Sequence, residues 1–286
     1  MKHIGWIFVF LWASGYIASS IGLNYTNPLS FISLRVLISF LFFLMIFLYK
    51  RKERMTKQKI VFAMATGLLL QFLYPVFFSY SLMTGISPTM LTIVLGLQPA
   101  LTLMISRDVS SKLQVYAIGG CVLGTIIFSA ENFSLGSTNL ENFSFAVLSL
   151  LGVTAGTILQ KKHCSDIPIV NNMLIQCLSA VMVLVPTTFI ISGFEAEFNY
   201  TFVSALLWQA LLISSISSIL LIKALKTGAV TNISTYFSCV PAMTALMSYF
   251  AFNSVVNINM LIGMALIFSC TWIAQNPKQL ELASEK

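Results

Sequence analysis

Residues 82–89 read LMTGISPT, and residues 225–232 read LKTGAVTN. Gly85 and Gly228 stand 143 residues apart, half the length of the chain. The likeness continues downstream in the same order, with PALTLM (99–104) opposite PAMTALM (241–247) and AIGG (117–120) opposite LIGM (261–264). Upstream, ASGYI (13–17) lies opposite TAGTI (154–158). One short match between apolar segments means little. An ordered series at nearly constant spacing reads as a duplication, with halves at 1–142 and 143–286.

The solvent around those halves follows from composition. The chain is 57% hydrophobic and 9% charged, and its mean hydropathy is +0.89. Soluble domains carry about 25% charged residues, so this chain lacks the polar surface to face water and belongs in a bilayer. Apolar runs between polar breaks give ten candidate spans: 4–22, 30–49, 60–82, 88–105, 113–130, 143–160, 170–192, 202–222, 229–251 and 258–275. Each approaches the ~20 residues of helix that a hydrocarbon core needs. Lipid offers the backbone no hydrogen-bond partner, and the alternating strands of a barrel are not seen, so the spans are expected to be helices. The first run follows Lys2 and passes Ala18-Ser19-Ser20 as a signal peptide would, yet it is long enough to cross and is read as an uncleaved span. The expected fold class is all-α: a polytopic membrane protein of ten transmembrane helices. Five spans per half is an odd number, so the second copy enters from the other face and the repeats are inverted.

Loop charges set the orientation. KRKERMTKQK (50–59), Arg107, Lys112, Lys161, Lys162, Lys223 and Lys226 fall in even-numbered gaps, while ENFSLGSTNLEN (131–142) and SGFEAEFNY (192–200) hold no Lys or Arg. Basic loops stay in the cytoplasm. Both termini are therefore expected there, in a multi-pass protein of the cell inner (plasma) membrane. The same loops account for the net charge of +7 without nucleic acid. The expected partners are the lipid bilayer and a small-molecule metabolite; a homodimer is left open.

Several chemistries find no support. The five cysteines, Cys121, Cys164, Cys177, Cys239 and Cys270, show neither disulfide nor metal spacing and read as packing thiols. No metal site and no cofactor are expected. His3 and His163 fall outside the spans, no Asp pair lies within them, and HExxH does not occur. An intramembrane enzyme is thereby disfavoured. A non-transporting scaffold or receptor subunit is the other alternative.

The sequence resembles the EamA-type branch of the drug/metabolite transporter superfamily. The resemblance is carried by LWASGYIASS (11–20), Pro28, Arg35, TGISPTMLTIVLGLQPALTLM (84–104), Gly119-Gly120, TGAVTNISTYFSCVPAMTALM (227–247) and Gly263. It implies an inner-membrane carrier with a central cavity, often exporting amino acids or other small metabolites, and an arginine kept at the position of Arg35. It also implies a glutamate just after the fourth and ninth spans. Here those segments read SRDVSS (106–111) and AFNSVV (251–256), and only Asp108 offers an acid.

Candidate substrate-binding residues follow from polarity inside the spans. Arg35 lies about 9 Å below the outer end of the second span at 1.5 Å per residue. It serves the pathway, ties helices together through carbonyls, or snorkels to the interface. Gln71, Tyr74 and Phe78 share a helical face, as do Asn232, Tyr236 and Cys239. Trp12 and Tyr16 pair in the first span with Ser14 beside them, and Gln98 precedes Pro99. Such faces can line a cavity or can merely bind helices together. Pro99 and Pro241 are candidate hinges at repeat-related positions, and Pro75 offers a third kink. Gly85 is expected to end one helix and Ser87-Pro88 to start the next. No Asp or Glu lies within a span, which favours uniport, exchange or weakly coupled export over proton antiport.

Overall fold

A computed structural model describes residues 2–49, 55–98, 101–102, 105, 112–134, 140–226, 230–253 and 257–275. The helices, in chain order, are α1 (Lys2–Gly22), α2 (Pro28–Tyr49), α3 (Lys57–Met83), α4 (Pro88–Gly96) and α5 (Lys112–Ser134). They continue with α6 (Leu140–His163), α7 (Ile169–Ile191), α8 (200–226), α9 (Val230–Phe252) and α10 (Ile258–Gln275). The protein is all-helical among the described residues, apart from one isolated bridge between Thr26 and Ala196. Segments of α2, α3, α6, α7 and α8 are long and apolar enough to cross a membrane, and α1, α5, α9 and α10 carry shorter apolar segments.

The junction at residues 82–89 folds as its residues dictate. Gly85 takes φ +108°, a conformation side chains resist, and donates its N–H to Leu82. Ile86 donates to Ser81, completing the paired bonds that satisfy a helix end. Ser87 then accepts from the Met90 N–H at 3.2 Å, with Pro88 in the first helical turn. The corresponding Gly228 lies outside the described residues.

Both long central helices are widened at the same relative place. Leu68–Leu73 in α3 and Trp208–Ser217 in α8 form π-helical turns, and the spacing that sets Gly85 opposite Gly228 makes these segments coincide. In α3 the cause is Pro75, which has no N–H and whose ring would strike the carbonyl four residues back; the wider turn moves that carbonyl away. In α8, serine hydroxyls occupy the loosened ladder instead. Ser215 Oγ donates to Ala210 O at 2.9 Å, and Ser217 Oγ donates to Leu212 O at 3.1 Å.

Packing partners exchange between the halves. Helix α1 packs on α8 and α9, while α6 packs on α3 and α4; α2 packs on α8, while α7 packs on α3; α2 pairs with α7 and α5 with α10. At one end, the segment before α2 meets the segment after α7. Glu197 N donates to Tyr25 O at 2.9 Å, Ser30 Oγ donates to Gly193 O at 2.9 Å, and Ser33 Oγ lies 2.6 Å from Thr188 Oγ1. At the other end, the start of α3 meets the start of α7. Ala63, Cys164 and Ile167 form a buried cluster there, His163 stacks on Phe62 at 4.0 Å, and Ser179 Oγ donates to Met64 O at 3.0 Å. Helices α2 and α7 therefore run antiparallel.

Two apolar cores result. One, with Tyr16, Phe78, Leu91, Val94, Leu150 and Val240, joins α1, α3, α4, α6 and α9. The other, with Phe31, Val36, Val76, Met173, Leu184 and Phe202, joins α2, α3, α7 and α8. Large apolar side chains remain exposed along the outside, among them Leu41, Met45, Leu123, Met182, Ile190 and Leu261, the surface that lipid covers. Cys164 and Cys177 are fully buried free thiols, and Cys121 and Cys270 are half-buried. Among the described residues no group of three or more His, Cys, Asp or Glu could hold a metal ion.

Candidate functional site

A narrow cleft opens within the first core, lined by Trp12, Tyr16, Tyr74, Thr92, Leu95, Gly96, Gln98, Val153 and Val240. Each lining helix contributes for a local reason. Trp12 and Tyr16, four residues apart on α1, stack up one face and are hydrogen-bonded to each other. Tyr16 meets Phe78 edge-on at 5.1 Å, and Phe78 meets Tyr74 at 6.0 Å, so Phe78 braces the two tyrosines that line the cleft. Gln98 is held across the cleft by its Nε2, which donates to Thr157 Oγ1 at 3.0 Å. Gly96 faces α9, where Pro241 Cγ would lie at an ordinary contact distance of 3.8 Å from a Cβ at that position.

The lining respects the duplication. The spacing that sets residues 13–17 opposite 154–158 places Trp12 opposite Val153, and the spacing that sets Pro99 opposite Pro241 places Gln98 opposite Val240. All four line the cleft. It therefore lies where the two halves exchange; among the described residues its aromatic and amide groups come from the first half, with Thr92, Leu95 and Gly96, and the second half contributes two valines.

The cleft encloses about 20 Å³, room for roughly one water. Pockets that hold organic ligands are on the order of 300 Å³ or more. In this conformation the cleft is too narrow for an organic ligand.

Of the residues singled out in the sequence, Trp12, Tyr16, Tyr74 and Gln98 come together here. Ser14 does not line the cleft; its Oγ donates to Leu11 O and accepts from Trp208 Nε1 at 2.9 Å, tying α1 to α8. Gln71 is buried inside the π-helical turn of α3. That turn breaks the regular spacing, so Gln71 is not on the cleft with Tyr74 as an uninterrupted α-helical face implies. Asn232 and Tyr236 fall on α9, but their side chains lie outside the described residues, as do Pro99 and Asp108. Pro241 is buried inside α9.

Arg35 reaches neither the cleft nor the surface. It is 8% exposed, and its Nε is shut off from solvent without a hydrogen-bond partner. Snorkelling is not what this side chain does. Its electrostatic neighbours are Tyr74, a wall of the cleft, and Cys177.

Thr92, Leu95, Gly96, Val153 and Val240 were not singled out in the sequence. The duplication was the available signal for two of them, since Val153 and Val240 are the counterparts of Trp12 and Gln98.

The EamA-like transporter family matches the chain twice, over residues 4–130 and 142–274. One solved crystal structure superposes with a TM-score of 0.69 at 14% sequence identity, covering 96% of each chain, a likeness in fold alone. Among curated proteins, none matches.

Proposed function

We propose, from the premise that the chain belongs to the EamA-like transporter family, that it carries small organic metabolites, amino acids or related compounds, out of the cell by alternating access. The observation that carries this reading is the position of the cleft. It lies where the halves exchange, walled by aromatic and amide groups around a water-sized space. A carrier whose halves rock about a central site places its solute there. Ten spans in two inverted five-helix units account for the exchange of packing partners and for the antiparallel run of α2 and α7. The loop charges favour a plasma-membrane setting with both termini in the cytoplasm. With no acid inside a candidate span, exchange or uniport fits the chain better than proton antiport.

The test is movement without conversion. Purified full-length protein in liposomes loaded with a mixed amino-acid and metabolite pool is expected to pass one or more of them unchanged, beyond protein-free vesicles, as read by mass spectrometry. No movement of any solute removes the carrier reading in favour of a scaffold, and chemical conversion removes it in favour of an enzyme. Within this reading, Pro241 is a hinge. Pro241→Ala restores a helical hydrogen bond and is expected to slow turnover about fivefold, roughly 1 kcal/mol of barrier, with solute affinity unchanged. An unchanged rate discards the hinge.

A further inference from the structure

We propose that Arg35 is the docking cation for a carboxylate on the transported solute. This deepens the carrier reading and rests on it.

The first ground is an unmatched charge. Arg35 is 8% exposed, its Nε has no partner, and along α2 it lies among the buried core residues Phe31, Ile32 and Val36, with Cys177 of α7 beside it. The acids whose side chains are described, Asp166, Glu195 and Glu197, are all exposed in the connections flanking α7. Tyr74 and Cys177, its electrostatic neighbours, are neutral groups at ordinary pH. A buried charge without a counterion is strongly destabilising. A chain that keeps one has a use for it.

The second ground is an internal comparison. The spacing that sets residues 13–17 opposite 154–158 sets Arg35 opposite Gln176. Gln176 is equally buried, but its Nε2 donates to Gln160 Oε1 at 2.7 Å and to Asn172 Oδ1 at 2.9 Å. By the same spacing, the counterparts of those two acceptors beside Arg35 are Ser19, which Gln209 engages, and Phe31. One copy of the scaffold holds a neutral amide whose N–H groups are bonded. The other holds a cation whose Nε has no partner.

The third ground is location. Tyr74 walls the cleft and is also an electrostatic neighbour of Arg35, so one aromatic residue borders both the charge and the cleft. A guanidinium presents paired planar donors that match the two oxygens of a carboxylate.

The experiment uses the full chain in nanodiscs of phosphatidylcholine alone, so that no anionic headgroup supplies the charge. Thermal unfolding is followed by tryptophan fluorescence while straight- and branched-chain monocarboxylates of two to eight carbons, or the corresponding neutral carboxamides, are titrated. At least one carboxylate is expected to raise the melting temperature saturably, at a concentration about tenfold below its amide. Arg35→Gln, which installs the residue of the other copy, is expected to erase that preference. Without ligand, it is expected to unfold at the parent temperature or about 2–4 °C above it, because a buried unmatched charge is gone. Arg35→Lys is expected to keep part of the preference. Absence of any carboxylate preference in the parent, or its persistence in Arg35→Gln, overturns the proposal; so does a lower melting temperature of unliganded Arg35→Gln, the mark of a structural clamp. The liposome assay separates the two readings. Solutes that move regardless of charge in parent and variant alike remove the role of Arg35 and leave the carrier standing. A carboxylate preference without movement of any solute removes the carrier and leaves the binding site.

Discussion

Gly67→Leu is expected to lower stability by about 3 kcal/mol, the upper part of the range for overfilled interiors. A Cβ at Gly67 would stand 2.5 Å from both the Cα and the carbonyl oxygen of Gln176, and closer still to Ser179 Oγ. The hydroxyl can turn aside; the backbone of α7 cannot. The bond from Ser179 Oγ to Met64 O fixes the two helices at this spacing, so α3 must move away from α7 along its length. Gly119 on α5 supplies the control, because a Cβ there meets nothing within 4 Å. In size-exclusion profiles after graded heating, Gly67→Leu is expected to lose its monodisperse peak roughly 6–12 °C early, and Gly119→Leu to match the parent. Equal survival of both variants would mean that α3 and α7 do not approach as described.

Gln98→Leu is expected to reduce the initial rate of solute movement about tenfold, near 1.4 kcal/mol. The amide does two things at once. Its Nε2 fastens the segment just past α4 to Thr157 on α6 at 3.0 Å, and the side chain forms part of the cleft wall. Thr157→Val separates them. It removes the fastening and leaves the amide in the cleft, whereas Gln98→Leu removes both. If fastening is the whole role, either substitution lowers the rate equally and the double variant is no worse. A deeper loss in Gln98→Leu shows the amide meeting the solute itself. Neither variant losing activity would detach this cleft from the transport path.

Much of this arrangement was legible in residues 82–89. Gly85 and Ser87-Pro88 carry their conformations in their chemistry, and the turn between α3 and α4 follows directly. The aromatic pair on α1, Tyr74 and Gln98 were also legible, because polar and aromatic groups inside apolar runs have few places to go. The π-helical turns were not. Pro75 marks the need for a distortion in α3 but does not say whether the helix kinks or widens. In α8 the only trace is a run of serines, common in any membrane helix. Gln71 falls inside such a turn, where the α-helical face count no longer holds. The contacts joining the segment before α2 to the segment after α7 were illegible as well, since they link backbone groups about 170 residues apart that no local pattern identifies.

The uneven lining of the cleft bears on chirality. A compound lying on a true two-fold axis can bind in two equivalent ways, and the site could not tell head from tail. Here, among the described residues, tryptophan and glutamine stand at positions where the second half carries two valines, so one pose is favoured and its reverse is not. A molecule held at three distinguishable points, ring, amide and aliphatic wall, is held differently from its mirror image. Enantiomers of one solute are therefore expected to compete unequally for this chamber.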